Sequence, residues 1–392
     1  MNVSSPPVGR EATTVARPVA AVTARQVVPV KWWAGIGALV VAFFAYVLIS
    51  WVTGPHFEKV PVGPSEVPGY MKAGLMAFQI LCIPAALGCI YWFVVRPWRR
   101  TRTLGVDGVL VIAFATLWVE DPLSAYAGHW FTYNSWALNF GSWVHEVPGW
   151  MSFGQPGQML VEPVLIIPGV YVWVFVLTMY LGSWVMRTAS RRWPTLGKPG
   201  LIGICFVTMC AFDVVFEGII FMPLGAWEYP GGHLSIFPST YHKFPLNEML
   251  TVSSLFTAVA ALRYFVNDRG EMIVERGIER VKGGPVKKVA LRALAAVAAC
   301  HLLLIAFYNI PNTVVGMHST SWPADLQKRS YLTDGLCGEG TDRACPGKGV
   351  PLIRNDNSGD RRGGSAYLRL DGTLGVPPGT KLPERVPFDT GG

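Results

Sequence analysis

The sequence predicts an all-α polytopic membrane bundle of about seven transmembrane helices, with the amino terminus inside and the carboxyl terminus outside. Three observations predict it. The 392-residue chain is 51% hydrophobic and only 15% charged, with mean hydropathy +0.35, whereas a soluble domain carries about 25% charged residues. Several runs reach the length of about 20 mostly apolar residues that a hydrocarbon core requires. Lys and Arg are abundant in alternate links and nearly absent from the others. The same composition, with 15 Trp and 20 Phe, excludes disordered, collagen-like and disulfide-scaffold classes.

The elements follow in order. Residues 1–31 read as a disordered cytoplasmic arm. The first apolar run is too long for the h-region of a cleaved signal peptide and reads as a signal anchor. Spans are expected at 32–52, 71–95, 104–123, 161–186, 200–224, 246–266 and 289–310, so that 32–310 forms one membrane domain. The link 124–160 is long, rich in aromatics and free of Lys and Arg; a loop of that length is usually a lid or binding element. Residues 311–392 read as an extracytoplasmic Gly/Pro-rich tail, with 355–364 and 375–379 as loops or disorder.

Orientation rests on the basic residues. Arg10, Arg17, Arg25 and Lys31 lie in the arm, Arg96, Arg99, Arg100 and Arg102 in the second link, and Arg187, Arg191, Arg192 and Lys198 in the fourth. Eight more lie between Arg263 and Arg292. The alternate links hold only Lys59, Lys72 and Lys243. The formal net charge of +8 thus has a topological explanation and implies no nucleic-acid partner.

The seven Cys form no C-x-x-C pair and no zinc spacing. Cys82, Cys89, Cys205, Cys210 and Cys300 lie in apolar runs, where a thiol is a small hydrophobe. Cys337 and Cys345 stand in the polar tail and can pair if that tail is outside.

Ionisable residues inside a span are costly and usually face a bundle interior or a wet cavity. Glu120, Asp121, Glu146, Glu162, Glu217, Glu228 and Glu248 lie at or beyond outer helix ends, and no His lies in a cytoplasmic link. At roughly 1.5 Å per residue, Asp213 is about 20 Å and Glu217 about 26 Å along the fifth span. Glu120 and Asp121 are about 24–26 Å along the third, and His301 about 18 Å along the seventh. Asp213 and His301 therefore share one level, with Glu217, Glu120 and Asp121 just above. Asp213 and Glu217, four apart, share a helix face. This predicts an outward polar cavity with Asp213, Glu217, Glu120, Asp121 and His301 as catalytic candidates.

The aromatics Trp130, Tyr133, Trp227 and Tyr229 fit an interfacial belt. They also follow acidic helix ends as a faint echo, Trp-x-x-Tyr and Trp-x-Tyr, and with Asn134 are the candidate substrate-binding set. No last-helix Lys suits a retinal Schiff base, and no H-x-x-x-H cluster suits a di-iron site. No phosphate loop, G-x-S-x-G or H-E-x-x-H occurs. Acid–base chemistry without metal or cofactor remains, alongside a second class, a non-catalytic membrane transporter or receptor for a lipid or small molecule. Against transport, the chain shows no inverted repeat and no pair of Gly/Pro-broken helices.

The stretch Trp118-Val-Glu-Asp-Pro122, then Trp130-Phe-Thr-Tyr-Asn134, Gly141-Ser-Trp143 and Pro148-Gly-Trp150, resembles the actinobacterial AveC-type spirocyclase proteins. So does Phe212-Asp-Val-Val-Phe-Glu217 leading to Gly225-Ala-Trp-Glu-Tyr-Pro230. The resemblance covers roughly 30–320. It implies a multi-pass protein of the bacterial plasma membrane that closes a dihydroxy-ketone polyketide into a spiroketal, in some members with dehydration. The expected partners are a lipophilic substrate, polyketide or isoprenoid, and the bilayer.

Overall fold

The structure is a computed structural model and describes residues 28–126, 128–150, 160–347 and 367–376. Nearly all of the arm 1–31, the loop 355–364 and most of 375–379 lie outside the described residues.

The fold is mostly helical. Its long helices are α1 (Pro29–Thr53), α2 (Gly69–Thr101), α3 (Val106–Ala125), α4 (Ile167–Arg192), α5 (Lys198–Phe221), α6 (Leu246–Tyr264) and α7 (Pro285–Gly316). Proline stands at the first or second position of α1, α4, α5 and α7, where its missing N–H is not needed and its fixed φ suits the first turn. Two starts differ from the sequence expectation by more than three residues. The fourth helix begins at Ile167 rather than 161, because the preceding residues run irregularly and Pro163 bridges to Asn139. The seventh extends beyond both expected ends.

Six of these helices, rather than the seven expected, are long and apolar enough to cross a membrane. The exception is α6, which carries Asn247, Glu248, Thr251, Ser253, Ser254, Thr257 and Arg263 within 19 residues. It packs against α4 and α5, and Glu248, Ser253 and Thr257 are buried, so its polar groups face protein rather than lipid.

Helix α7 packs against α1 and α3, and α4 against α2, α3, α5 and α6. The central pair α3 and α4 is mostly buried, while α1, α2 and α5 expose most of their apolar side chains. Glycine permits the closest approach: a Cβ on Gly37 of α1 would lie 1.9 Å from the Leu294 carbonyl oxygen of α7. On α5 the buried residues Leu201, Cys205, Met209, Asp213 and Glu217 form a stripe spaced by four, joined by Gly218.

The links rich in Lys and Arg gather at one end of the bundle. There Arg263 pairs with Asp107 at 2.7 Å and Arg292 with Glu275 at 2.8 Å. At the opposite end the links fold into a cap. Trp322, Leu326, Tyr331 and Leu332, from the segment after α7, share one apolar cluster with Trp130, Trp150 and Trp227. Cys337 and Cys345 form a disulfide in this segment.

Candidate functional site

The site is built where the cap meets the helices. Two cap segments pair as an antiparallel ladder, β1 (Thr132–Tyr133) with β2 (Trp227–Glu228), matching Tyr133 to Trp227 and Thr132 to Glu228. These are the two Trp/Tyr segments that echo each other in the sequence. Alternation along a strand sends Phe131, Tyr133, Trp227 and Tyr229 to one side, where all four line a cavity, and Thr132 and Glu228 to the other. Gly225 precedes β2 at φ +69°, with Met71 packed where a side chain would stand, and this turn swings Trp227 inward.

The cavity holds about 720 Å³ of non-atom space, part of it open to the exterior. Its floor and walls are apolar: Ile167, Val170, Val174 and Phe175 of α4, Phe216 of α5, Val252, Leu255 and Phe256 of α6, and Leu304 of α7. Three carboxyls enter it, Asp121, Glu217 and Glu248, with the hydroxyls of Tyr133, Tyr171, Tyr229 and Tyr308. No Lys or Arg pairs with these carboxyls among the described residues. An apolar cleft with a few convergent polar groups is the usual form of a small-molecule site.

Local departures from the α-helix aim these groups. The end of α3, Trp118–Ala125, is a 3-10 helix around Pro122. With three residues per turn, successive side chains diverge by about 120°. Asp121 therefore faces the cavity while Glu120 does not. Glu217 lies in the π-helical end of α5, Val214–Phe221, and Tyr308 in the π-helical turn Ile305–Asn309 of α7. Such widened turns often occur at functional sites.

On one wall, Tyr171 and Tyr133 donate to the two oxygens of Asp121 at 2.6 and 2.9 Å. On the other, Trp227 Nε1 donates to Glu217 at 3.2 Å, and Asn312 Nδ2 to Glu248 at 3.1 Å. The Tyr229 hydroxyl lies 2.9 Å from Glu217 Oε2 and 3.1 Å from Glu248 Oε1. It has one proton and can donate to only one of them. For both contacts to be hydrogen bonds, the other carboxyl must be protonated and donate to the phenol oxygen. The geometry thus favours one shared acidic proton in the Glu217–Tyr229–Glu248 group. Burial pushes the Tyr229 and Tyr133 phenols well up, so both remain hydroxyl donors.

The other sequence candidates lie elsewhere. Glu120 Oε1 meets His301 Nδ1 at 2.8 Å, and His301 Nε2 meets Thr116 Oγ1 at 3.0 Å. Both ring nitrogens are engaged, so the level that Asp213 shares with His301 does not make them partners; equal depth along two helices does not fix the direction in which each side chain points. Phe44 stacks on the same imidazole. Asp213 is fully buried on the α5 stripe, one turn behind Glu217, and does not line the cavity. Trp130 packs on Tyr229, and Asn134 ties the cap turn by donating to the Gly225 carbonyl and accepting from Trp136 N–H. Glu146 pairs with His56 at the rim. Glu162 is fully buried beside Ser142, and burial together with the charge of Asp121 pushes its carboxyl well up.

The sequence candidates do not include Glu248, Tyr171 and Tyr308, which line the cavity. Glu248 carried a usable signal, an acid in the first turn of an otherwise spanning helix. The two tyrosines carried none beyond a polar tip inside an apolar run.

Carboxyls that converge within an apolar cleft can carry acid–base chemistry on a greasy substrate. The model of the Spirocyclase AveC-like family matches residues 98–332. The chain belongs to the AveC-like spirocyclase family. Every residue lining the cavity lies inside the matched region of this AveC-like chain, whereas α1 and most of α2 lie outside it. No protein with a curated description and no solved structure matches the chain.

Proposed function

We propose that this AveC-like protein is a cofactor-free membrane cyclase that closes a lipophilic dihydroxy ketone, a polyketide or related lipid, into a spiroketal. The observation that carries the reading is that Asp121 and the Glu217–Tyr229–Glu248 group line one apolar cavity. One hydroxyl adds to the ketone, the hemiketal loses water to give an oxocarbenium ion, and the second hydroxyl traps it. The sum is dihydroxy ketone to spiroketal and water. The protonated member of the Glu217/Glu248 pair delivers a proton to the ketone oxygen and, once reprotonated, to the departing hydroxyl. Asp121, whose oxygens each accept from a tyrosine, takes the proton of the first attacking hydroxyl; the pair, left anionic when water departs, stands beside the cation and takes the proton of the second. The apolar walls hold the carbon chain and keep competing water away.

In this reading all seven long helices span a bacterial plasma membrane, with α6 shielded from lipid by its neighbours. The amino terminus is cytoplasmic, and the cap with its disulfide is outside. The site opens toward the cap, within reach of a substrate dissolved in the bilayer.

The test is expression in membrane vesicles, addition of a linear dihydroxy ketone and chiral analysis of the product. One spiroketal diastereomer formed faster and in greater excess than in empty vesicles is the expected result. An equal ratio and rate in both would overturn the reading. Uptake of unchanged ketone would assign the cavity to transport.

A further inference from the structure

Asp213 is unused by the mechanism above, yet its surroundings are unusual. The residue is fully buried, and neither carboxyl oxygen has a hydrogen-bond partner among the described residues. The charged or titratable groups that act on it are Glu217 and Glu248, and the Cys210 thiol on its own helix. Leaving a buried carboxyl unsatisfied is costly, so such a group is expected to bind water or carry a proton.

The facing helix repeats the pattern. Ser253 and Thr257 of α6 are buried; the Ser253 hydroxyl finds no partner among the described residues, and the Thr257 hydroxyl meets only the Cys205 thiol. Glu217 and Glu248 share Tyr229, which sets the two helices in register. From there Asp213 lies four residues deeper on α5, roughly 6 Å, and Ser253 five residues deeper on α6, roughly 7.5 Å. The contact of Cys205 with Thr257 marks the next step down the same interface. A polar seam therefore runs behind the acid pair, between α5 and α6, away from the cavity.

The chemistry of spiroketal formation gives this seam a use. The ketone oxygen leaves as water, so it must collect two protons while the substrate stays bound. The two attacking hydroxyls release one proton each. By the count at Tyr229, the Glu217/Glu248 pair carries one proton. We infer that Asp213 is a proton reserve for this pair: after Glu217 or Glu248 has protonated the ketone oxygen to form the hemiketal, Asp213 passes its own proton through bound water to the pair, which then protonates the departing hydroxyl. The proton of the second attacking hydroxyl restores the pair, and the charge left on Asp213 is neutralised when the proton that Asp121 took from the first hydroxyl returns through water in the emptied cavity. No oxidant or co-reactant is needed, and the protons balance over the cycle. Asp213 acts only through Glu217 and Glu248 and does not touch substrate.

This inference rests on the cyclase reading, and two measurements separate them. The first is a rapid-quench single turnover of the full-length protein in vesicles, comparing Asp213→Asn with the native chain. Hemiketal should form at the native rate and accumulate, while spiroketal formation slows by about 10²-fold, the low end for an acid–base group; Asp213→Glu should recover most of it. Equal slowing of both steps, or no slowing, would overturn the inference. The second needs no turnover: infrared difference spectra in H2O and D2O without substrate. A protonated carboxylic acid band that shifts in D2O should be lost in Asp213→Asn, and its shift should be slower in the Ser253→Ala/Thr257→Val double variant. An unchanged acid band in Asp213→Asn would refute the reserve even if the cyclase works. A clear band with no spiroketal from the native protein would instead remove the cyclase reading.

Discussion

Glu120 and Asp121 are neighbours in the chain, yet their carboxyls serve different parts of the molecule. Glu120 meets His301 at 2.8 Å inside the contact of α1, α3 and α7. Asp121 turns into the cavity and accepts from Tyr171 and Tyr133. The 3-10 turn around Pro122 separates them, because its tighter winding rotates successive side chains further than an α-helix does. A pair of acids that reads as one motif in the sequence is therefore one structural group and one candidate catalytic group.

That division predicts opposite outcomes for isosteric variants. Asp121→Asn, Glu217→Gln and Glu248→Gln should each lower spiroketal turnover by about 10²–10⁴-fold, the usual contribution of an acid–base group, with the protein still folded in membrane. Glu66→Gln, at an exposed position between α1 and α2, should turn over normally. Chiral product analysis on equal amounts of folded protein makes the comparison; near-native turnover in all three cavity variants would move the site elsewhere.

The Glu120–His301 pair should matter for stability. Both side chains are almost fully buried. Removing one partner of such a pair strands the other and costs about 3–5 kcal/mol, whereas replacing both with apolar residues costs much less. His301→Leu should lower the thermal midpoint in detergent more than the Glu120→Leu/His301→Leu double variant does. A double variant less stable than the single would contradict the pairing.

Tyr229→Phe removes the hydroxyl between Glu217 and Glu248 and keeps the ring that packs on Trp130. Turnover should fall by about 10²-fold with KM changed little, since the lost group handles a proton rather than the carbon chain. A change confined to KM would make Tyr229 a binding group only.

The cap should respond to pH through Lys243. Its ammonium is buried, donates to Thr320 Oγ1 and the carbonyls of Pro230 and Ser321, and burial lowers its pKa from 10.5 to about 8. A base whose pKa is lower folded than unfolded opposes folding while charged. Below pH 8 the full penalty is present, and it fades as pH rises from about 8 toward 10.5. Protease resistance of the cap should rise across that window in the native chain, and this component of the rise should be missing in Lys243→Met. The same slope in both would show that another group titrates.

Orientation is open to a direct check. After mild reduction, Cys337 and Cys345 should react with a membrane-impermeant maleimide added to intact cells, and a reporter active only in the cytoplasm should be silent when fused after Gly392. Labelling only after lysis, with an active reporter, would invert the proposed topology.

Much of the fold was legible in the sequence, because apolar length and four-residue spacing are local properties. The runs placed every long helix, and the spacing of Asp213 and Glu217 foretold the buried stripe on α5. The Trp-x-x-Tyr and Trp-x-Tyr segments hinted at a relation that the β1–β2 ladder makes physical. The sequence counts α6 as a seventh span, whereas its polar content leaves six helices apolar enough to cross a membrane; composition does not say whether a polar residue faces lipid or another helix.

By itself, then, the sequence determined an apolar helical bundle, one end rich in Lys and Arg and the other poor in them, and a store of acids near the latter. Only the tertiary structure decided which acids converge: Asp121 without Glu120, Glu217 with Glu248, and Asp213 behind them. The physical reason is that depth follows from counting residues, whereas direction depends on 3-10 and π turns and on the register between helices far apart in the chain, which side-chain packing fixes.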